Sequence, residues 1–539
     1  MQNIALITAS LQGGGAERCA AELSLFFAKK GFRVFIFTDL SRNIEYEYAG
    51  TLVDYSYHLF GDHKDREENL LRNKVNELKS LKTIYDIDTA VSFLQWPNYL
   101  NILSKNLEKV ILTTHSVNSE YAKKYKDSAF WSEETFRDLY QYADLVTFPS
   151  EYCRKDWIEH YGDKNGITKT VYNPVHMMRV SGEENKKNIV ITVGRMQGVK
   201  RQWHMIKAFK RVKDMCPNSR LIILGDGESR LKLKEISRQL GLADDVEMPG
   251  NVRNVQDYLA KAKVFAMTSE CEAMPCSVLE ALSAGVPVVS CDSPGGIREE
   301  LGISYEREAI KVPIIGECGI ITPYIYENGM HEISREEEIF AGEIARLLKD
   351  NELRDKMATA GVERAQIFSD DEVGRVWMND ILNDGPDKET DREEFERIVE
   401  KNLIGYQDSV NKGNMQMYIL YYRLLEKWMV LHEKGRSAEE YFGSKGIDHI
   451  IIYGMGKMAR HLIEDIKESS INIICAIDRR PTDAYCNVPV ITLNETIPDA
   501  ECIVVTPVYA FETIKQILGD RTSMPLISLS DVIDWCSVE

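Results

Sequence analysis

A chain of 539 residues is too long for one hydrophobic core and predicts about three domains. Its composition, 44% hydrophobic and 28% charged, is typical of a soluble globular protein. The formal net charge of -18 disfavours nucleic acid as a partner and attraction of the whole surface to anionic lipid. A local basic patch that makes peripheral contact with a membrane is still compatible with this charge.

The N-terminal stretch and the cysteines indicate the compartment. The sequence MQNIALITASLQGGG lacks a basic n-region, and its short apolar run breaks into glycines, which is typical of a first strand rather than a signal peptide. Eleven cysteines are scattered without a C-x-x-C pair or a His/Cys cluster, so we expect reduced thiols and no metal site. These features predict a cytoplasmic protein, with any membrane contact peripheral and at the inner face.

Three blocks of the chain alternate apolar runs with helical stretches, which is the pattern of parallel sheets with crossover helices. The runs NIALITAS and KVILTTH belong to the first block, NIVITVG and VPVVSCD to the second, and HIIIYG and CIVVTP to the third. We predict an α/β fold with two doubly wound Rossmann-like domains, a helical connector and a third, small Rossmann-like domain of nucleotide-binding type. The predicted ranges are 1–178, 179–383, 384–445 and 446–539.

A glycine-rich turn follows the first predicted strand in SLQGGGAERCAAEL. Gly13, Gly14 and Gly15 would let the backbone approach a phosphate at the start of the next helix, where unpaired N–H groups favour anions. A tight strand-to-helix turn without a ligand explains the motif equally well. The motif is not G-x-G-x-x-G and lacks the P-loop lysine, so it gives no support to ATP hydrolysis.

Two further motifs place charged residues after strands of the second block. In VGRMQGVKRQ, Arg195 and Lys200 could neutralise a diphosphate, or they could form a solvated basic pair. In SECEAMPCSVLEALSAG, Glu272 lies in a loop and Glu280 in the first turns of a helix, so both could reach one cleft. The alternative for Glu280 is a capping box that begins at Ser277, in which Glu280 satisfies a backbone N–H.

In this order, and together with GDGESRLKLK, these motifs make residues 1–383 resemble family 4 retaining glycosyltransferases of the GT-B architecture. The resemblance implies that the two doubly wound domains face a cleft, the first on the acceptor side and the second, with a return helix, binding the donor. It implies transfer, of the hexosyltransferase type, from a nucleoside-diphosphate sugar to a carbohydrate or lipid-linked acceptor in surface polysaccharide or glycoconjugate biosynthesis. No further cofactor and no metal would be required.

The resemblance also implies roles for individual residues. Arg195 and Lys200 would hold the donor diphosphate, Glu280 the ribose hydroxyls and Glu272 the transferred sugar. His115, in ILTTHSVNSEY, matches the family's histidine near the donor sugar, although taken alone it is a common kind of strand-end polar residue. His115, Arg195, Lys200 and Glu272 are therefore the expected catalytic residues. Two further sets of residues are expected to contact the donor substrate. Gly14 and Gly15 would close over it from the first domain. Backbone amides around Met274, Pro275, Cys276 and Ser277 would bind its sugar hydroxyls or phosphate.

The chain departs from the family pattern at two places. Ala273 and Met274 follow Glu272 where many members have Gly-Phe, a change expected to affect the sugar preference. After Glu300, the stretch LGISYEREAIKVPIIGECGIITP is longer than the usual connection. This insertion either shapes specificity or forms a surface loop.

The third block carries Gly454-x-Gly456-x-x-Ala459 at the start of a helix, and the strand NIICAID ends in Asp478. This is the dinucleotide fingerprint, with the acid placed for a ribose 2′-OH. NAD or another nucleotide is therefore the predicted ligand. Because no hydride-transfer machinery is evident in the block, a sensing or degenerate module is favoured over an oxidoreductase.

Two alternatives stand beside the glycosyltransferase interpretation. A nucleotide-sugar epimerase of the same architecture would convert its donor without an acceptor, and an inactive protein would sense a nucleotide sugar or NAD. The presence of Arg195, Lys200, Glu272 and Glu280 argues against an inactive protein. No carboxylate nucleophile at the anomeric carbon is evident, so the resemblance favours same-face attack over double displacement. The sequence makes no prediction of oligomeric state.

Overall fold

A computed structural model describes most of the chain and divides it into two compact units, Met1–Gln407 and Asp408–Glu539. Within the described ranges, no helix is both long and apolar enough to cross a membrane. The described residues are 2–40, 44–55, 70–124, 132–178, 186–304, 309–326, 329, 332–382, 393–403, 424, 427–428, 431–432, 436–455, 457–478, 488–493, 495–519 and 521–537.

The first unit opens with a seven-stranded parallel sheet. Its strands are β1 (Asn3–Ser10), β2 (Arg33–Leu40), β3 (Thr51–Asp54), β4 (Thr89–Phe93), β5 (Lys109–Thr113), β6 (Leu145–Phe148) and β7 (Thr168–Thr170). The helices around it are α1 (Gly15–Lys29), α2 (Leu70–Ile84), α3 (Gln95–Leu103), α4 (Asn118–Lys124) and α5 (Glu151–Tyr161). In the order β3-β2-β1-β4-β5-β6-β7, the direction of winding changes between β1 and β4, as in a doubly wound sheet.

A second seven-stranded sheet follows in the same unit. Its strands are β8 (Ile189–Val193), β9 (Arg220–Leu224), β10 (Val246–Gly250), β11 (Val264–Met267), β12 (Val288–Cys291), β13 (Ile314–Ile315) and β14 (Gly319–Thr322). The helices around it are α6 (Gln202–Met215), α7 (Arg230–Gln239), α8 (Val255–Leu259), α9 (Cys276–Ser283), α10 (Ile297–Glu300), α11 (Arg335–Lys349) and α12 (Asn351–Gln366). The order is β10-β9-β8-β11-β12-β14-β13, and β13 is antiparallel to β14. The insertion after Glu300 thus contributes the edge strand β13 to this sheet.

The chain then returns to the first sheet. Helix α13 (Asp370–Val376) continues into a π-helical turn, Trp377–Leu382. Helix α13 can approach α1 closely because residue 374 is a glycine; a Cβ on Gly374 would lie 2.2 Å from the Phe26 ring. The Trp377 and Phe27 rings meet edge to face with 6.1 Å between centroids. The end of the second domain is therefore packed onto the helix that follows the glycine-rich turn.

The second unit contains a smaller parallel sheet. The last helix of the first unit is α14, at 393–403. The elements of the second unit are α15 (Glu439–Lys445), β15 (His449–Tyr453), α16 (Lys457–Asp465), β16 (Asn472–Ile477), β17 (Val490–Ile491), β18 (Cys502–Val505), α17 (Phe511–Gly519), β19 (Leu526–Ser528) and α18 (Leu529–Ser537). The strand order is β17-β16-β15-β18-β19, with β15 in the middle. Three Rossmann-like sheets confirm the predicted α/β fold class.

The described parts of the predicted connector, 384–445, belong to two different cores. In α14, Phe395 packs against Tyr142 of the first sheet's core, with 5.1 Å between ring centroids. Further along, Leu424, Trp428 and Leu431 lie in the core of the second unit. The boundaries at 178, 383 and 445 stay predictions.

Candidate functional site

The predicted charged residues follow neighbouring strands of the second sheet. Strand β11 pairs with β8 on one side and with β12 on the other. Because these three strands are parallel, the loops after them meet at one edge of the sheet. Lys200 lies in the loop after β8, Glu272 in the loop after β11, and Gly295 in the loop after β12.

Hydrogen bonds join the loop after β8 to the segment that follows β11. The Thr268 hydroxyl donates to the Arg201 carbonyl at 3.0 Å, and the Glu270 N–H donates to the Val199 carbonyl at 2.8 Å. Arg201 itself has a left-handed φ of 48° and a buried guanidinium that donates to the Ile325 carbonyl at 2.6 Å. A non-glycine residue in this conformation is held by its surroundings, as is common at functional sites. Lys200, its neighbour in sequence, is therefore fixed at the strand end.

Lys200 and Glu272 form an ion pair through Nζ and Oε1. The Glu272 N–H donates to the Pro294 carbonyl at 3.0 Å, and Glu272 forms a parallel bridge with Gly295. Backbone pairing between the two loops thus fixes the Glu272 carboxylate. The structure brings these two predicted residues together at the carboxyl edge of the sheet.

Arg195 follows the same strand β8 as Lys200 and is exposed. Among the described residues, none forms a hydrogen bond or an ion pair with its guanidinium. Burial raises the pKa of Glu17, in the first turn of α1, and the charge of Arg195 opposes that rise. An unpaired cation at this edge is available for an anionic ligand.

Glu280 does not cap the helix on which it lies. Helix α9 begins at Cys276 with Pro275 as its N-cap, and no side chain caps it. The capping-box interpretation is therefore wrong, because Pro275 ends the loop before Ser277 can act as the cap and so places Glu280 in the fifth helical position. The Glu280 carboxylate is buried and accepts a hydrogen bond from Arg18 Nη1 of the first domain.

The start of α9 offers donors to an anion. The N–H groups of Cys276 and Ser277 have no acceptor within the part of the chain that the structure describes, as is usual for the first turn of a helix. The Cys276 Sγ is 3.2 Å from the position that a Cβ on Gly15 would take. Burial raises the pKa of the Cys276 thiol to about 12, so the thiol is neutral. The starts of α9 and α1 therefore face each other.

The glycine-rich turn makes this approach feasible. Gly13 has a left-handed φ of 69°, and Gly14 is the N-cap of α1. A Cβ on Gly14 would lie 1.9 Å from Glu17 Oε2, so the glycine leaves room for that carboxylate. Gly14 and Gly15 thus lie where the first domain meets the start of α9.

The Met274 side chain packs between the two domains. It packs in a small apolar cluster with Val175, Leu279 and Phe368. The Asn173 side-chain amide donates to the Met274 carbonyl at 3.1 Å. Where many family members have Gly-Phe, this chain therefore packs the Met274 side chain between the two domains, and no described residue accepts the Met274 N–H.

His115 follows β5 in the first domain. Its Nε2 lies 3.2 Å from the Thr113 hydroxyl, and its ring stacks on Phe93 with 5.9 Å between centroids. Burial lowers the pKa of His115 to about 4, so the ring is neutral at neutral pH. Its Nδ1 is buried, and no described residue bonds to it. No hydrogen bond joins His115 to Lys200 or Glu272 within the described ranges.

The sequence analysis assigns no role to three charged residues near this edge, Arg18, Glu299 and Glu300. Arg18 contacts Glu280 across 262 positions of sequence, and local periodicity could only have revealed its pair with Glu22 in the next turn. Glu299 accepts the N–H groups of Glu151 and Tyr152 at 2.8 and 2.6 Å and so caps α5 of the first domain.

Glu300, the third of them, is fully buried. Neither carboxylate oxygen has a partner among the described residues. Burial, with the charges of Glu272 and Glu299, raises its pKa well above the ordinary value. A buried carboxyl group with a raised pKa therefore lies near the ion pair of Lys200 and Glu272.

The predicted nucleotide site of the second unit is described in part. Gly454 has a left-handed φ of 87°, and a Cβ there would lie 2.7 Å from the Pro507 ring. Ala459 is buried in α16, and Gly456 lies outside the described residues. Asp478 Oδ2 accepts the Met455 N–H at 2.6 Å, so this acid holds the glycine turn.

Two family models match adjoining parts of the chain. Residues 13–179 match "Glycosyltransferase Family 4", and residues 176–364 match "Glycosyl transferases group 1".

The chain is also similar to known proteins. It is 32% identical over 264 residues to an uncharacterized glycosyltransferase of Methanocaldococcus jannaschii, a match that covers 45% of this chain and 64% of that protein. It is 24% identical over 395 residues to the N-acetylgalactosamine-N,N'-diacetylbacillosaminyl-diphospho-undecaprenol 4-alpha-N-acetylgalactosaminyltransferase of Campylobacter jejuni, covering 71% and 100%. Among solved structures, Anabaena HepE in complex with UDP and glucose aligns with a TM-score of 0.55, 18% identity, and coverage of 70% of this chain and 98% of that one.

Proposed function

Residues 13–364 belong to the family 4 glycosyltransferases of the GT-B architecture, and from this premise we propose that the chain transfers a sugar from a nucleoside-diphosphate sugar to a carbohydrate or lipid-linked acceptor. The proposal includes retention of the anomeric configuration, transfer of the hexosyl type and a role in surface polysaccharide or glycoconjugate assembly. The names of the Campylobacter relative and of the HepE complex support a lipid-linked acceptor and a UDP-type donor. A lipid-linked acceptor would bring the protein to the inner face of a membrane.

The observation that carries the proposal is the cluster of charges at one sheet edge. Arg195 makes no hydrogen bond or ion pair among the described residues, Lys200 follows the same strand and pairs with Glu272, and α9 begins in the segment after β11. Two cations and a helix N-terminus are suited to a diphosphate. They would stabilise it both as part of the bound donor and as the leaving group.

Donor binding would redistribute the ion pairs of the free protein. The diphosphate attracts Lys200 away from Glu272, and the Glu272 carboxylate then becomes an acceptor for hydroxyl groups of the transferred sugar. Glu280, already paired with Arg18, would accept the ribose hydroxyls. Each acid thus has a cation in the free protein and a ligand group in the complex.

Retention fits same-face attack in this site. The acceptor hydroxyl would approach the anomeric carbon from the side of the departing diphosphate, whose oxygen takes the hydroxyl proton. Arg195 and Lys200 hold the negative charge that develops on the diphosphate as the glycosidic bond breaks. His115, neutral and with an unbonded Nδ1, would bind a hydroxyl of the donor sugar rather than supply a charge.

The second unit is proposed to bind NAD or another nucleotide as a sensing module. The left-handed turn at Gly454 follows the central strand β15, at the switch point where ligands of such sheets bind. Since Asp478 already holds the Met455 N–H, a ribose would share that carboxylate with the turn. Titration calorimetry with NAD on wild type and on Asp478→Asn tests this role, and equal heats for the two proteins would reject it.

The transferase proposal is tested with a binding panel. Thermal shifts are measured with UDP, GDP, ADP, CDP and dTDP on wild type and on Lys200→Gln, with Arg238→Gln as control. Arg238 pairs with Glu235 on an exposed helix face of the same domain. One diphosphate is expected to stabilise wild type and the control but not Lys200→Gln, and no shift with any of them would contradict the proposal. Conversion of a nucleotide sugar to a second sugar without acceptor would instead support the epimerase.

A further inference from the structure

Arg18 connects the glycine-rich turn to the proposed ribose site. It lies in the first turn of α1, and its backbone N–H donates to the Gly14 carbonyl at 3.1 Å. Its Nε donates to Glu22 Oε1 at 2.7 Å, one turn further along the same helix. Its Nη1 donates to Glu280 Oε1 in the other domain. One planar guanidinium therefore joins two carboxylates from two domains.

The geometry makes Glu22 the anchor of this arrangement. The Nε of an arginine lies at the inner end of its fork, so a bond there orients the plane and leaves the outer nitrogens for a second acceptor. Burial raises the pKa of Glu22, and the charge and hydrogen bond of Arg18 oppose that rise. Arg18 is thus fixed on its own helix before it reaches Glu280.

Glu280 depends on Arg18 as its counter-charge. Its side chain is 8% exposed, and Arg18 is its ion-pair partner among the described residues. A buried carboxylate without a partner is costly and becomes protonated. Ribose hydroxyls can donate hydrogen bonds to the Glu280 carboxylate, but because they are neutral they cannot replace the positive charge of Arg18. The cation must stay when a nucleotide binds.

We propose that Arg18 is a positioning residue that keeps the Glu280 carboxylate ionised and oriented for the ribose, so that donor affinity depends on a side chain of the first domain. This inference rests on the proposed function. It assigns Arg18 no contact with the diphosphate. The consequence is that Arg18 acts on ligands that carry ribose hydroxyls and leaves ligands without them unaffected.

Three other roles for Arg18 make different predictions. If Arg18 only joined the two domains, its loss would lower thermal stability without changing nucleotide affinity. If the ion pair blocked the ribose site, its loss would make nucleotides bind more tightly. If Arg18 bound the diphosphate directly, its loss would weaken pyrophosphate as much as a nucleotide.

The test is a double-mutant cycle by titration calorimetry with UDP, 2′,3′-dideoxy-UDP and inorganic pyrophosphate. The proteins are wild type, Arg18→Gln, Glu280→Gln and the double variant, with Arg238→Gln as an arginine control from an exposed ion pair. Arg18→Gln is expected to weaken UDP about 10- to 100-fold, the range of a lost charged hydrogen bond. In the Glu280→Gln background the same change should alter UDP affinity less than about twofold, because its target is gone.

The variant Glu22→Gln provides an independent arm if Arg18→Gln folds poorly. It leaves both members of the interdomain pair in place and removes only the charge of the anchor, so UDP affinity should fall by less than in Arg18→Gln. Equal loss of 2′,3′-dideoxy-UDP or pyrophosphate affinity, unchanged UDP affinity, or tighter UDP binding would each overturn the positioning role. If wild type binds no nucleoside diphosphate of the full panel, the proposed function itself is contradicted and Arg18 loses this role with it.

Discussion

The Gly295→Ala substitution would displace the Glu272 carboxylate through the backbone alone. Gly295 has a φ of 131°, and an added Cβ would lie 1.5 Å from the Glu272 carbonyl oxygen. Real Cβ atoms essentially never approach closer than 3.0 Å, so the two loops must separate by about 1.5 Å. That movement breaks the bridge between Gly295 and Glu272 and moves the carboxylate away from Lys200.

The cost has two parts. A non-glycine residue in this region of φ is strained by about 1–3 kcal/mol, and the overlap brings the total loss of stability to roughly 3–5 kcal/mol. A displacement of about 1 Å at reacting groups lowers turnover by about 100-fold. We therefore expect Gly295→Ala to be less stable than wild type and to retain about 1% of its activity.

The matched control is Gly302→Ala. Gly302 also has a left-handed φ, 69°, but the nearest atom to its added Cβ is Arg364 Nε at 3.9 Å. This variant carries the strain without the overlap and should lose only about 1–2 kcal/mol with unchanged nucleotide affinity. Denaturant unfolding and UDP titration of both variants provide the comparison. Wild-type stability and affinity in Gly295→Ala would refute the reasoning.

Three further predictions concern charge. Lys200→Gln should lower kcat/KM for the donor about 100-fold while the exposed Arg238→Gln leaves it unchanged, and equal kinetics for the two variants would rule out a special role for Lys200. Glu300 has a raised pKa, so the folded state keeps a proton that the unfolded state loses above the ordinary carboxyl pKa, and wild-type stability should fall as pH rises from about 4.5; Glu300→Gln should remove this dependence in unfolding measured across pH. His115 has a lowered pKa, so the unfolded state gains a proton below pH 6.5 and wild type should lose stability down to about pH 4. Between pH 7 and 5 this loss is about 2 kcal/mol, and parallel stability curves for wild type and His115→Asn would contradict the assignment.

The sequence predicts the parts of the site that depend on where strands end. Lys200 and Glu272 could be placed together because parallel strands present their carboxyl ends at one edge of the sheet, and the contact of Arg195 with a donor stays a prediction. The start of α9 was predicted less well. The capping-box rule considers only four residues, whereas Pro275 and the bridge at Glu272 determine where the loop ends.

Contacts between domains lie beyond what local pattern can predict. The pair of Arg18 with Glu280, the cap that Glu299 places on α5, and the packing of Met274 between the two domains each join segments more than 100 positions apart. The sequence shows only an arginine in a helical turn, an acid after two glycines and a methionine in a loop. Their roles follow from the packing of the two sheets, which periodicity does not encode.

The most direct test of the central claim is release of nucleoside diphosphate from a panel of nucleotide sugars, measured with and without lipid-linked oligosaccharide acceptors. We expect one nucleotide sugar to be consumed, faster with a lipid-linked acceptor, by wild type and by Arg238→Gln, and both Lys200→Gln and Glu280→Ala to be slower by at least about tenfold. Wild-type protein that releases no diphosphate from any nucleotide sugar, or Glu280→Ala with wild-type kinetics, would contradict the account.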